Sequence, residues 1–217
     1  SWGTLVGPLV GSSFVEAALD QLIELMVGRL QIVVPAGNGY QSRTHANAKL
    51  RPGKPLPLQW RVQPDDHTQS FLELWLPEGA RDVEITLTPP GHHKPLPALR
   101  MGEAATWTGS GPHPQCVLIY PSRSALGRRG TCALLALAPT ASLHAGVTTA
   151  PCGVWQVSLL NKGQKALPFD AYIERDDVAL GQHTGARQSY LEDPVYDPSG
   201  NLHSWVDLLY NRTPVRR

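Results

Sequence analysis

The sequence predicts a partial parallel α/β sheet over residues 1–50, then a mostly antiparallel β-sandwich over 51–174 and an extended connection over 175–217. Three observations carry this reading. A single amphipathic helical period stands near the N-terminus, followed by a short apolar run. Beyond residue 51, apolar and polar residues alternate in short stretches divided by turn residues. Glycine and proline number 20 each among 217 residues, which favours turns and strands over long helices.

The helix comes first in the argument. Ser13-Phe14-Val15-Glu16 fits a capping box, with Ser at the cap and Glu three residues on. Val15, Ala18, Leu19, Leu22 and Met26 follow at spacings of three and four. Gly28 stands where a left-handed residue ends a helix. The next stretch, Leu30-Gln31-Ile32-Val33-Val34, is apolar and β-branched, as a buried parallel strand is, and it stops at the turn composition Pro35-Ala36-Gly37-Asn38-Gly39.

The character changes at Arg51-Pro52-Gly53-Lys54-Pro55. Strands are expected over 58–62, 71–76, 83–88, 116–120, 131–137, 153–160 and 169–173, divided by turns such as Pro89-Pro90-Gly91 and Asn161-Lys162-Gly163. Seven such strands suit an antiparallel sandwich. Trp75 and Trp155 fall within apolar strand patterns and are expected in the core, whereas Trp107 lies in a polar stretch and is expected at the surface.

Composition excludes several classes of function. With 41% apolar residues and a net charge of +1, the chain is neither disordered by composition nor equipped to bind a nucleic-acid backbone. No apolar run approaches the ~20 residues of a membrane-spanning helix. Three cysteines give no disulfide framework and no zinc-type pair. The histidines His45, His67, His92, His93, His113, His144, His183 and His203 form no metal-binding spacing and read as surface residues, so neither a metal nor a cofactor is expected. Glu174-Arg175-Asp176-Asp177 has carboxylates suited to calcium but reads as a solvated charged turn. Gly130-Thr131-Cys132-Ala133 imitates a nucleophile motif, but its apolar, strand-like surroundings read as a packed cysteine. Asn211-Arg212-Thr213 is a glycosylation sequon only in a chain secreted through a eukaryotic pathway.

The stretch with most chemistry is Pro35-Ala36-Gly37-Asn38, since an Asn amide after a strand can donate N–H to a developing oxyanion. In order, Ser1-Trp2-Gly3, Gly11-Ser12-Ser13, the helix and Val34-Pro35-Ala36-Gly37-Asn38 resemble the middle section of the subtilisin-like serine proteases. The resemblance covers about 40 residues well. It implies that Ser1, Trp2 and Gly3 pair with the substrate backbone. Pro35, Ala36 and Gly37 would line the pocket, with Pro35 where the family has a small residue, and Asn38 would supply the oxyanion donor. The strand-rich remainder resembles an insertion between that Asn and the nucleophile. The family's Asp, His and Ser motifs are not in this sequence, and its ends read as those of an internal segment. The chain alone is thus expected to be inactive. Its expected partners are a peptide or protein substrate and the remaining catalytic segments of the same polypeptide, with no nucleic acid and no membrane span, and its localisation is left open. The alternative reading is a non-catalytic sandwich module that binds peptide or carbohydrate through an exposed aromatic such as Trp107.

Overall fold

The computed structural model describes residues 14–33, 42–109, 111–122, 130–178 and 184–193. Among them are one helix, α1 (Phe14–Leu25), and ten strands. The strands are β1 (His45–Leu50), β2 (Pro55–Val62), β3 (Ser70–Leu76), β4 (Val83–Thr88), β5 (Glu103–Trp107), β6 (Cys116–Tyr120), β7 (Thr131–Leu137), β8 (Gly153–Asn161), β9 (Leu167–Ile173) and β10 (Tyr190–Glu192). They form a six-stranded sheet in the order β1-β9-β3-β7-β6-β5 and a four-stranded sheet in the order β10-β2-β8-β4. Every strand pairing is antiparallel.

The two sheets bury one shared core. Alternation along each strand turns one set of side chains inward, as the pleat requires. Val83, Ile85 and Leu87 of β4 are buried while Glu84, Thr86 and Thr88 are half-exposed. Trp155, Val157 and Leu159 of β8 meet Leu58 and Trp60 of β2, and Trp60 and Trp155 are register partners with no exposed surface. From the larger sheet come Leu72, Leu74, Ala133, Leu135, Phe169 and Ala171. Each buried Leu, Ile, Val or Phe side chain among them contributes about 1.5–3 kcal/mol by leaving water.

Particular polar residues fix how the strands meet. Asn161, fully buried at the end of β8, donates to the carbonyls of Leu50 (3.0 Å) and Lys165 (2.8 Å) and accepts from Gly163 N (2.9 Å). One side chain thus satisfies the end of β1 and the β8–β9 turn together. Gly130 opens β7 at φ +117°, where an added Cβ would lie 2.5 Å from the Leu76 carbonyl oxygen. Only glycine admits that approach of β7 to β3.

The parallel α/β sheet predicted for residues 1–50 is not seen. The helix forms, but its apolar residues stay in solvent, with Val15 65% and Leu25 78% exposed. Leu30–Val33 is not a strand, and Val33 is 92% exposed. An apolar run becomes a buried strand only where a neighbour supplies hydrogen bonds and both faces are covered. Among the described residues nothing does either, and the next segment, β1, pairs antiparallel with β9. The secondary structure is therefore almost wholly antiparallel β. No described helix is long and apolar enough to cross a membrane.

Candidate functional site

All seven residues assigned to substrate or oxyanion contact, Ser1, Trp2, Gly3, Pro35, Ala36, Gly37 and Asn38, lie outside the described residues. What borders them is described. Upstream of Pro35, Ile32 and Val33 are exposed. Downstream, Ser42 and Thr44 share a hydroxyl–hydroxyl hydrogen bond of 2.7 Å at the entry to β1.

Within the sandwich, an open groove of about 580 Å³ is lined by Pro90, His92, Trp107, Gln115 and Thr149, together with Gly109 and Ala150-Pro151. Trp107, the last residue of the edge strand β5, is half-buried rather than fully exposed. Its indole meets Trp155 edge-on at 5.4 Å within and His92 edge-on at 5.6 Å at the rim. Gly109 passes so close that an added Cβ would lie 2.9 Å from the indole and 2.5 Å from the Gln115 side-chain oxygen. An aromatic face with an amide and a hydroxyl beside it suits hydrogen-bonding ligands of moderate polarity. The lining holds no carboxylate and no thiol, so it supplies a binding surface and no general acid–base pair.

The cysteines behave as packing residues. All three are free thiols. Cys132 sits in β7 opposite Trp75 of β3, and burial raises its pKa, with Glu73 adding repulsion against the thiolate. Burial likewise pushes the Cys116 thiol up to about 12. A nucleophilic cysteine needs the opposite shift. Iodoacetamide at neutral pH is therefore expected to alkylate exposed Cys152 and to spare Cys116 and Cys132 in the folded protein. Cys132→Ala is expected to lower Tm by only about 2–4 °C, as a loss near 1 kcal/mol does in a chain of this size. Rapid alkylation of Cys132 would reinstate it as a nucleophile.

The histidines divide. His92, His93, His113 and His144 are exposed, as expected for surface residues, but His45 is 1% exposed. Its Nε2 lies 3.1 Å from Asp170 Oδ1, and its ring stacks on Tyr172 at 4.5 Å. Burial pushes the Asp170 carboxyl up, but the hydrogen bonds from His45 and Asn47 outweigh it and leave the pKa below the ordinary value. The trio joins β1 to β9 across the sheet. No group of three or more histidine, cysteine, aspartate or glutamate side chains among the described residues is disposed to hold a metal. The charged turn after β9 is only partly solvated. Arg175 and Asp177 form an exposed ion pair at 2.7 Å, while Asp176 turns inward.

No family model matches this chain, and no curated protein matches it in sequence. Among solved structures, the CspB protease of Clostridium perfringens is similar in fold, with a TM-score of 0.59 and 17% sequence identity. The similarity covers 80% of this chain and 34% of that one, so the chain spans about a third of the length of the protein it matches.

Proposed function

We propose that this chain is part of a subtilisin-like serine endopeptidase, in which the β-sandwich, β1 included, is an accessory domain and the residues that precede β1 belong to the catalytic unit. The observation that carries the reading is the overlay of four-fifths of the chain on a third of a protease. The order of Ser1-Trp2-Gly3, the helix and Pro35-Ala36-Gly37-Asn38 supports it. So does α1, whose exposed Val15, Leu22 and Leu25 are apolar surface suited to burial against further segments of the same polypeptide.

In this reading a serine oxygen, supplied from elsewhere in the polypeptide, attacks the scissile carbonyl while a histidine takes its proton and an aspartate orients the histidine. The carbonyl oxygen gains negative charge as the tetrahedral intermediate forms. The Asn38 amide donates a hydrogen bond to that oxygen. Ser1, Trp2 and Gly3 pair with the substrate backbone, and Pro35, Ala36 and Gly37 wall the pocket beside the cleaved bond. The histidine then returns its proton to the leaving amine, and water releases the acyl group.

The test is a fluorophosphonate probe on the complete polypeptide. Attack by an activated serine on phosphorus expels fluoride and leaves a stable phosphonyl ester. One labelled serine outside residues 1–217, with hydrolysis of a peptide substrate lost in step with labelling, is the expected result. Absence of labelling in the folded polypeptide would instead leave the sandwich as a binding module, with the Trp107 groove as the place for its ligand.

A further inference from the structure

The edge strand of a sheet carries a row of unpaired N–H and C=O groups, which folds commonly block with lysine, proline, a bulge or a covering segment. β4, one edge of the smaller sheet, is covered in this way. Leu96 N donates to the Leu87 carbonyl at 2.7 Å, Leu99 N to the Ile85 carbonyl at 2.8 Å, and Ile85 N to the Leu99 carbonyl at 2.9 Å. β5, one edge of the larger sheet, is open. Among the described residues no segment pairs with its outer side. Its sequence, Glu103-Ala104-Ala105-Thr106-Trp107, holds neither lysine nor proline, and Ala104 and Thr106 are exposed.

The groove begins where β5 ends, since Trp107 is both the last residue of the strand and a wall of the groove. Gln115, also in the lining, is only 9% exposed. Its main chain is engaged: its N donates to the Trp107 carbonyl at 2.8 Å, and its carbonyl accepts from Ala138 N at 3.0 Å. Its side-chain amide forms no hydrogen bond with another described residue. Two glycines make room for that amide. A Cβ at Gly109 would lie 2.5 Å from its Oε1, and one at Gly111 would lie 3.2 Å from its Nε2. A nearly buried amide left unpaired costs stability, and in the groove a ligand can supply partners for its donor and its acceptor alike.

The lining also defines the ligand's chemistry. A carboxamide donates and accepts at one position, which complements the N–H and C=O of a peptide unit, and the Thr149 hydroxyl has both capacities too. Trp107, Pro90 and Pro151 give apolar walls. No carboxylate, lysine or arginine is present to neutralise a charged ligand. A sugar ring could stack on an indole, but it does not repeat donors and acceptors at the spacing of a strand. An extended peptide meets both the groove and the open edge.

We propose that β5 and the groove together bind an extended, uncharged peptide segment, which adds to the outer edge of β5 as a seventh strand and sets an apolar side chain on Trp107. Main-chain hydrogen bonds along β5 hold the segment whatever its sequence, and the groove selects the anchoring side chain. A residue opposite Trp107 on the added strand has its Cβ about 4.5–5.5 Å from that of Trp107, within contact range of an indole. Gln115 and Thr149 take up peptide groups next to the anchor. The site does not rest on the endopeptidase reading, because it holds the peptide whether or not the complete polypeptide cleaves it.

The test selects a phage-displayed library of random peptides on the full chain and titrates the enriched sequences, synthesised with blocked ends, by calorimetry. Enriched peptides are expected to be uncharged over the bound stretch. Trp107→Ala is expected to weaken their binding at least about tenfold, and Gln115→Leu roughly three- to tenfold. Gln115→Leu breaks no side-chain hydrogen bond among the described residues, so it serves if Trp107→Ala fails to fold. Strand addition has its own signature, because alternate residues of a strand turn their N–H toward each neighbour. N-methylation of every second amide of the peptide is expected to abolish binding in one phase of the alternation and to be tolerated in the other. Equal effects of the two phases, binding unchanged in both variants, or enrichment of no peptide overturns the proposal. Binding of an oligosaccharide on a glycan array, lost in Trp107→Ala while no peptide binds, also overturns it, since a sugar would then be the occupant.

Discussion

Asn38→Ala in the complete polypeptide is expected to lower kcat about 10²–10³-fold, roughly 2.7–4 kcal/mol of transition-state stabilisation. The charge that the Asn38 amide would serve exists only while the tetrahedral intermediate forms. The interaction therefore lowers the transition state and leaves the ground-state complex nearly untouched. KM is expected to change little, and kcat/KM to fall by nearly the same factor as kcat. Asn38→Asp is expected to do at least equal damage, since a carboxylate presents no donor and repels the oxyanion. An unaltered kcat in a folded Asn38→Ala variant would reduce Asn38 to a turn residue and remove the chemical basis of the protease reading.

Trp155→Ala is expected to cost about 3–5 kcal/mol of stability, lowering Tm by roughly 6–20 °C for a chain of this size. Trp155 is fully buried in β8, a central strand of the smaller sheet, with its register partner Trp60 on one side. Its Nε1 donates to the Pro151 carbonyl at 3.1 Å, and its ring receives the edge of Trp107. Truncation leaves a cavity between the sheets, orphans the Pro151 carbonyl and removes the floor beneath the groove. Trp107→Ala, at a half-buried position on an edge strand, is expected to cost clearly less. Urea denaturation of both variants, monitored by circular dichroism, checks the ranking; equal losses would mean that the sandwich core is not centred on β2 and β8.

The sequence by itself determined those parts of the fold that local pattern controls. The period of three and four over Val15–Met26 specified α1, because a helix closes its hydrogen bonds within the segment. Alternation specified β4, whose buried face recurs every second residue, and most of β3, where Trp75 is buried as well as its neighbours Leu74 and Leu76. The apolar environment of Cys132 was equally legible, and the structure keeps it in a strand.

Only the tertiary structure decided the rest. β1 has the sequence His-Ala-Asn-Ala-Lys-Leu and β5 sits at a sheet edge with little burial, so neither carries a strand pattern of its own. Each is a strand because β9 and β6 supply its hydrogen bonds. β10, three residues long, exists only by pairing with β2. Leu30–Val33 shows the converse, since its apolar, β-branched pattern remains without strand structure where no neighbour among the described residues pairs with it. The polar clusters follow the same rule. His45 and Asp170 are 125 positions apart, and Asp66 and Arg187 are 121 apart, so no local signal marks either contact. Periodicity reports which face of a segment is apolar. Which segment lies beside it is fixed by long-range pairing that a local pattern does not encode.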